Sequence, residues 1–164
     1  MSLAYFGPAD RTSLGYFSLM SVLLFEMIRP AVERYRGILD YYSRNYRFYY
    51  PSDFALNGQV ARLEMCRQLI VKTKPKRIIE TGTYRGTTAQ WFAQFGIPLL
   101  TCEISQRFYE FSKRRLKRFK NVEARRIGSV EFLFDLQPSS ERVLFYLDAL
   151  GPTSSAARRI RNHL

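Results

Sequence analysis

The chain has 164 residues, 46% of them apolar and 24% charged, with a formal charge of +12 and a single histidine, His163. That is one domain's length with enough apolar residues for a core, and it excludes a histidine-based triad or a zinc site built on several histidines. The positive charge favours anionic partners through its long-range field and says nothing about fold.

Residues 1–54 read as a helical, aromatic and basic extension. An uncharged, largely apolar stretch, TSLGYFSLMSVLLF (12–25), lies between Arg11 and Glu26. It falls short of the roughly 20 apolar residues that cross a bilayer. No small-residue cleavage site follows in EMIRPAVERY, so a packed or interfacial helix is expected rather than a secretory signal. The helical pattern runs from about Ser18 to Tyr42 and is expected to break near Pro30. The expected location is cytoplasmic, with contact to a membrane surface through residues 12–28. The alternating tyrosines and arginines of YYSRNYRFYYPSDF (41–54) suit stacking on bases or sugars, but the preferred reading is a loop that packs its rings and keeps its arginines wet.

From Phe54 to Lys72 the pattern is helical, with Val60, Leu63, Met65, Cys66, Leu69 and Ile70 along one broad face. After Pro75 the pattern changes. RIIE (77–80) is a β-branched strand, TTAQWFAQF (87–95) a helix stopped by Gly96 and Pro98, and PLLTCEI (98–104) a second strand. Ser105 is the candidate N-cap of a helix over 105–120, with Phe108, Phe111, Leu116 and Phe119 inward. NVEARRI (121–127), GSVEFLFDL (128–136) and RVLFYLD (142–148) complete the alternation as strand, short helix and strand. This spacing predicts an α/β fold, a Rossmann-like parallel sheet with helices on both faces. Cys66 and Cys102 match no metal or redox spacing and are expected as buried free thiols in a reducing compartment.

In open α/β sheets ligands bind beyond the carboxyl ends of the strands. Glu80 with the Gly82–Gly86 turn, Glu103, Gly128 with Ser129, and Asp148 all fall at such ends. The G-x-x-x-G spacing differs from the dinucleotide fingerprint, and Thr87 stands where a P-loop needs lysine. A carboxylate beside the turn repels a diphosphate and suits a cationic ligand. Glu103 follows Glu80 at roughly the 20-residue offset from which a second-strand acid reaches a ribose diol. A ribose with a cationic end describes the nucleoside sulfonium S-adenosylmethionine.

The blocks IIETGTYRGTT, LLTCEIS, VEARRIGSVEFL and FYLDA, in that order, resemble a class I S-adenosylmethionine-dependent methyltransferase over residues 55–149. The group most similar is the small methyltransferase-domain group related to cephalosporin hydroxylase and sugar O-methyltransferases. The resemblance implies strands in the order 3-2-1-4 and methyl transfer, here to the oxygen of a small-molecule or saccharide acceptor. It implies that Glu80, Gly82 and Gly86 line the methionine end, that Thr81, Thr83 and Tyr84 shape the loop, and that Thr87 and Thr88 cap the next helix. Glu103 would take the ribose hydroxyls, Ser129 would lie near the adenine, and Asp148 would face the transferred methyl group. In metal-using relatives the Asp148 position is one of several oxygen ligands for a divalent ion.

Family members continue past this point with three further strands, whereas LGPTSSAARRIRNHL (150–164) has no strand pattern. The expectation is a C-terminally truncated domain with a tail foreign to the family, open to being inactive for want of those strands. The fourth strand, VLFYL, would then be an apolar edge that invites self-association. A different class of reading is a basic nucleic-acid-binding α/β module without catalysis, drawn from KRRLKRFK (113–120) and the net charge. A solvated outer helix face accounts for the same residues.

Overall fold

The computed structural model of the chain describes residues 11–43 and 52–148, and of 11–19 and 52–53 only the backbone path. The expectations for the aromatic–basic stretch 44–51 and for the tail fall outside the described residues. Helix α1 (Arg11–Tyr42) precedes a 3-10 turn (Ser52–Gly58) and α2 (Val60–Thr73). Then follow β1 (Arg77–Thr81), α3 (Thr87–Ala93), β2 (Leu99–Cys102), α4 (Gln106–Leu116), β3 (Val122–Arg125), α5 (Ser129–Phe134) and β4 (Val143–Leu147).

The four strands are parallel in the order β3-β2-β1-β4, the order expected from the sequence. The right-handedness of parallel crossovers explains the layers. The path moves from β1 to β2 to β3 through α3 and α4, and then returns past β1 to β4 through α5. Reversing direction with the same handedness puts the return helix on the opposite face. One face of the sheet carries Ile78, Leu99, Val122 and Leu144, packed with Leu56, Cys66, Ile70, Ala89, Trp91, Phe92 and Leu116. The other face carries Ile79, Leu100, Cys102 and Val143 under Phe132 of α5. That second face is thinly covered. Phe145 and Leu147 of the edge strand β4 remain 50% and 51% exposed.

Three local expectations are corrected. First, α1 is continuous through Pro30 rather than broken there. A proline removes one helix hydrogen bond and crowds the preceding turn. Here Glu26, whose carbonyl is released, lies in an exposed segment and keeps access to water. Second, residues 54–58 form a turn and not the start of α2. Leu56 and Asn57 take φ of 55° and 60° ahead of Gly58, and the Leu56 N–H donates to Thr88 Oγ1 at 3.0 Å. Asn57-Gly58 was the turn signal in the sequence. Third, the apolar face of α2 is narrow. Cys66 and Ile70 are buried with Leu63 packed beside them, while Val60, Met65 and Leu69 are exposed.

The C-terminal half of α1 packs on α4. Arg107 Nε donates to Asp40 Oδ2 at 2.6 Å, and the Tyr41 and Phe111 rings meet edge to face at 5.6 Å. Gly37 permits the close approach, since a Cβ there would lie 2.2 Å from the Arg107 carbonyl oxygen and 3.0 Å from Glu110 Cβ. The contact is with backbone, so it cannot be relieved by a rotamer change. Gly37→Ala is therefore expected to lower stability by about 1–3 kcal/mol through overpacking, despite the better helix propensity of alanine. A thermal melt unchanged or raised would contradict this packing.

Candidate nucleoside site at the carboxyl ends of the strands

The reversal of strand order places the switch point between β1 and β4. There Thr81 ends β1, and its carbonyl accepts the Asp148 N–H at 3.3 Å. Beyond Thr81 the chain turns sharply. The N–H groups of Gly82 and Thr83 both donate to the Cys102 carbonyl, at 3.0 and 2.9 Å. The Gly86 N–H closes the turn on the Thr83 carbonyl at 2.8 Å. Gly82 and Gly86 have φ of 80° and 75°, values that side chains on an L-residue resist.

Gly86 is also buried. A Cβ there would sit 3.2 Å from Ser112 Cβ and 3.4 Å from Leu116 Cδ1, so this glycine lets α3 approach α4. Gly86→Ala should destabilise by roughly 1–2 kcal/mol from the left-handed backbone alone, read as a lowered denaturation midpoint. Unchanged stability would show that α4 yields at this contact and that the turn relaxes. Tyr84 has φ of 50° without being glycine. Its ring packs on Phe108 at 4.3 Å, and the Arg85 guanidinium lies 5.4 Å from the Tyr84 ring centre.

Two carboxyl groups, Glu80 and Glu103, flank this turn and sense each other electrostatically. Glu80 is fully buried, and its Oε2 accepts the Thr101 hydroxyl at 2.6 Å. The Thr101 and Thr83 hydroxyls are 2.5 Å apart, and Thr83 Oγ1 donates to the Cys102 carbonyl at 3.0 Å. Burial pushes the Glu80 carboxyl up to about 8, the Thr101 hydrogen bond opposes this, and the charges of Asp148 and Glu103 add to it. Glu80 therefore holds its proton at neutral pH. The sequence reading treated it as a carboxylate, a state that the buried site reaches only above that range or beside a cation.

Glu103 is held differently. Its Oε2 accepts the Tyr84 N–H and its Oε1 the Ser105 N–H, each at 2.8 Å. A carboxylate offers about four lone-pair sites, so two bonds fix its orientation and leave acceptor capacity on both oxygens. Ser105 is the N-cap of α4 as expected, accepting from the Phe108 N–H.

The remaining sequence candidates divide. Thr87 and Thr88 do not cap α3, whose N-cap is Gly86 without a side-chain cap bond. Thr87 Oγ1 instead accepts from Arg115 Nη1 at 3.1 Å, and Thr88 Oγ1 accepts from the Leu56 N–H. Both hydroxyls thus tie α3 to its neighbours. Thr81 is buried in β1, Ser129 stands half-buried at the start of α5, and Asp148 is exposed just past β4. Among the described residues no group of three or more His, Cys, Asp or Glu could hold a metal ion. Cys66 and Cys102 are buried and free, and burial raises both thiols, Cys102 to about 11.

Two residues escaped the sequence reading. Ile104, directly after Glu103, is 73% exposed at the carboxyl edge of β2. Glu131 folds back over Gly128, where a Cβ would lie 2.3 Å from Glu131 Oε2 and 3.6 Å from Ile104 Cδ1. Ile104, Gly128 and Glu131 therefore border one place beside Glu103. The sequence pattern had taken Ile104 as the last residue of the second strand, which the structure ends at Cys102.

No family model matches the chain, and no curated protein matches it. Solved structures do. A proposed O-methyltransferase from Klebsiella pneumoniae superposes with a TM-score of 0.50 at 24% identity, over 61% of this chain and 48% of that one. The O-methyltransferase TomG from Streptomyces achromogenes, solved with S-adenosylmethionine, gives 0.47 at 22% identity, over 65% and 51%. The Podospora anserina methyltransferase PaMTH1, bound to S-adenosylhomocysteine, gives 0.49 at 18% identity, over 90% and 62%. The chain thus spans about half to three-fifths of the length of these structures. The first likeness, with the strand order, shows the class I methyltransferase fold.

Proposed function

We propose that the chain binds S-adenosylmethionine at this switch point and is an S-adenosylmethionine-dependent methyltransferase that acts on an oxygen of a small-molecule or saccharide acceptor. The observation that carries the reading is the pairing of Glu103, oriented by two backbone N–H groups, with the buried Glu80 under the Gly82 turn. Glu103 takes the ribose hydroxyls. Ile104, Gly128 and Ser129 border the base. Glu80 and Gly82 face the methionine end, where a positive sulfur stabilises the ionised form of a carboxyl that burial otherwise keeps neutral. Thr83 and Tyr84 act through the loop, by fixing Thr101 and Glu103.

When bound, the cofactor supplies the reactive methyl group, so the work of these residues is alignment. Positioning of this kind contributes roughly 7–11 kcal/mol to such displacements. An oxygen acceptor also has to lose a proton. In this reading Asp148 receives it; its exposure at the end of β4 beside Thr81 supports that role.

The test is transfer of a labelled methyl group from S-adenosylmethionine to a panel of phenols and saccharides. A methylated oxygen in any of them, lost in Asp148→Ala with cofactor affinity retained, supports the reading. Tight cofactor binding with no transfer to any acceptor contradicts its catalytic half.

A further inference from the structure

The N-terminal part of α1 carries a surface that the methyltransferase fold does not explain. Met20, Val22, Leu23, Leu24, Phe25, Met27 and Ile28 are all exposed, from 48% at Ile28 to 78% at Met27. Successive helix positions point about 100° apart, so Val22 through Phe25 together cover nearly the whole circumference. A partner helix would need an apolar stripe with a polar face opposite it. A helix that is apolar all round instead calls for surroundings that are themselves apolar. The uncharged run 12–25 is about 21 Å long as helix, against roughly 30 Å for the hydrocarbon core of a bilayer. No helix among the described residues is long and apolar enough to cross a membrane. The ion pair of Arg29 with Glu26 lies where the apolar run ends. The whole chain carries a formal charge of +12.

We propose that the arm of α1 over residues 12–28 docks on an anionic lipid surface, buried among acyl chains at the interface without crossing, with the net positive charge of the domain drawn to the headgroups. Apolar insertion and electrostatic attraction then act together, the combination that gives stable peripheral binding. The Asp40–Arg107 contact and the Gly37 approach fix the far end of α1 to α4. The arm thereby presents the nucleoside site at a set distance from the bilayer.

Sedimentation of the full chain with vesicles tests this. Vesicles of phosphatidylcholine mixed with phosphatidylserine should bind on the order of tenfold tighter than phosphatidylcholine alone, and added salt should narrow the gap. The double variant Leu23→Glu, Phe25→Glu should lose vesicle binding while its circular dichroism and nucleoside affinity stay unchanged. No sedimentation with either vesicle, or undiminished binding by the double variant, would overturn the proposal. Equal binding to both vesicles would overturn its electrostatic half. A dimer in light scattering that the double variant abolishes, without vesicle binding, would assign the arm to a second copy instead.

Discussion

Glu103→Ala is expected to weaken S-adenosylhomocysteine binding by about a hundredfold to about ten-thousandfold. The carboxylate is fixed by the Tyr84 and Ser105 N–H groups, and its free lone pairs can accept two ribose hydroxyls. Hydrogen bonds to a charged acceptor contribute about 1.5–3 kcal/mol each, and each factor of ten in affinity is about 1.4 kcal/mol. The substitution also leaves two backbone donors without their acceptor, which costs stability of about 1–3 kcal/mol for each one kept from water. A ligand-side cut separates the effects. The 2′-deoxy analogue should bind the unaltered chain at least about tenfold more weakly than the parent nucleoside. On Glu103→Ala the two ligands should bind alike, because the group that distinguishes them is gone. If the variant still prefers the ribose form, another residue holds the diol.

Glu80→Gln should remove a pH dependence from both folding and binding. Folding holds the Glu80 proton from its ordinary value of 4.5 up to about 8. Between those limits the folded state carries more protons than the unfolded one, so stability falls as pH rises across that window. The stability is fully present below 4.5 and is lost as pH passes 8. The full span corresponds to at most on the order of 4–5 kcal/mol. Glu80→Gln cannot ionise, so its denaturation midpoint should stay flat from pH 5 to 9, where the unaltered chain declines. Binding follows the same group. A cationic sulfur favours ionised Glu80, so S-adenosylmethionine should bind more tightly as pH rises towards 8 and release a proton on binding near neutrality. S-adenosylhomocysteine, whose sulfur is neutral, should show little of either effect. Calorimetry in buffers of different ionisation enthalpy reads the proton directly. Equal proton release for the two ligands would remove Glu80 from the sulfur end.

The sheet was legible because its signals are local. Short β-branched runs, helices of period 3.6 and stop residues alternate through 77–148; the strand order came from the family resemblance, and handedness then sets which face each helix takes. The glycines of the turn were legible for the same reason, since a strand-to-helix reversal with positive φ requires them. Partner choice was not legible. Thr87 and Thr88 look like helix caps in sequence, yet their hydroxyls serve Arg115 and Leu56, which the fold brings from far along the chain. The ionisation of Glu80 was hidden too, because it depends on burial under the turn and on two further acids. The breadth of the α2 face depended on how far the helix reaches over the sheet. Periodicity marks which residues share a side but does not say how much of that side is covered.

The central claim is that this chain holds a nucleoside sulfonium at the carboxyl ends of β1 and β2. A calorimetric titration of the chain with S-adenosylmethionine, repeated with Glu103→Ala and with the 2′-deoxy ligand, tests it most directly. The account predicts saturable binding at one site per chain, weakened by the 2′-deoxy ligand, weakened more by Glu103→Ala, and weakened by both together no further than by Glu103→Ala alone. Absence of saturable binding, or an affinity indifferent to Glu103 and to the ribose hydroxyl, would contradict it.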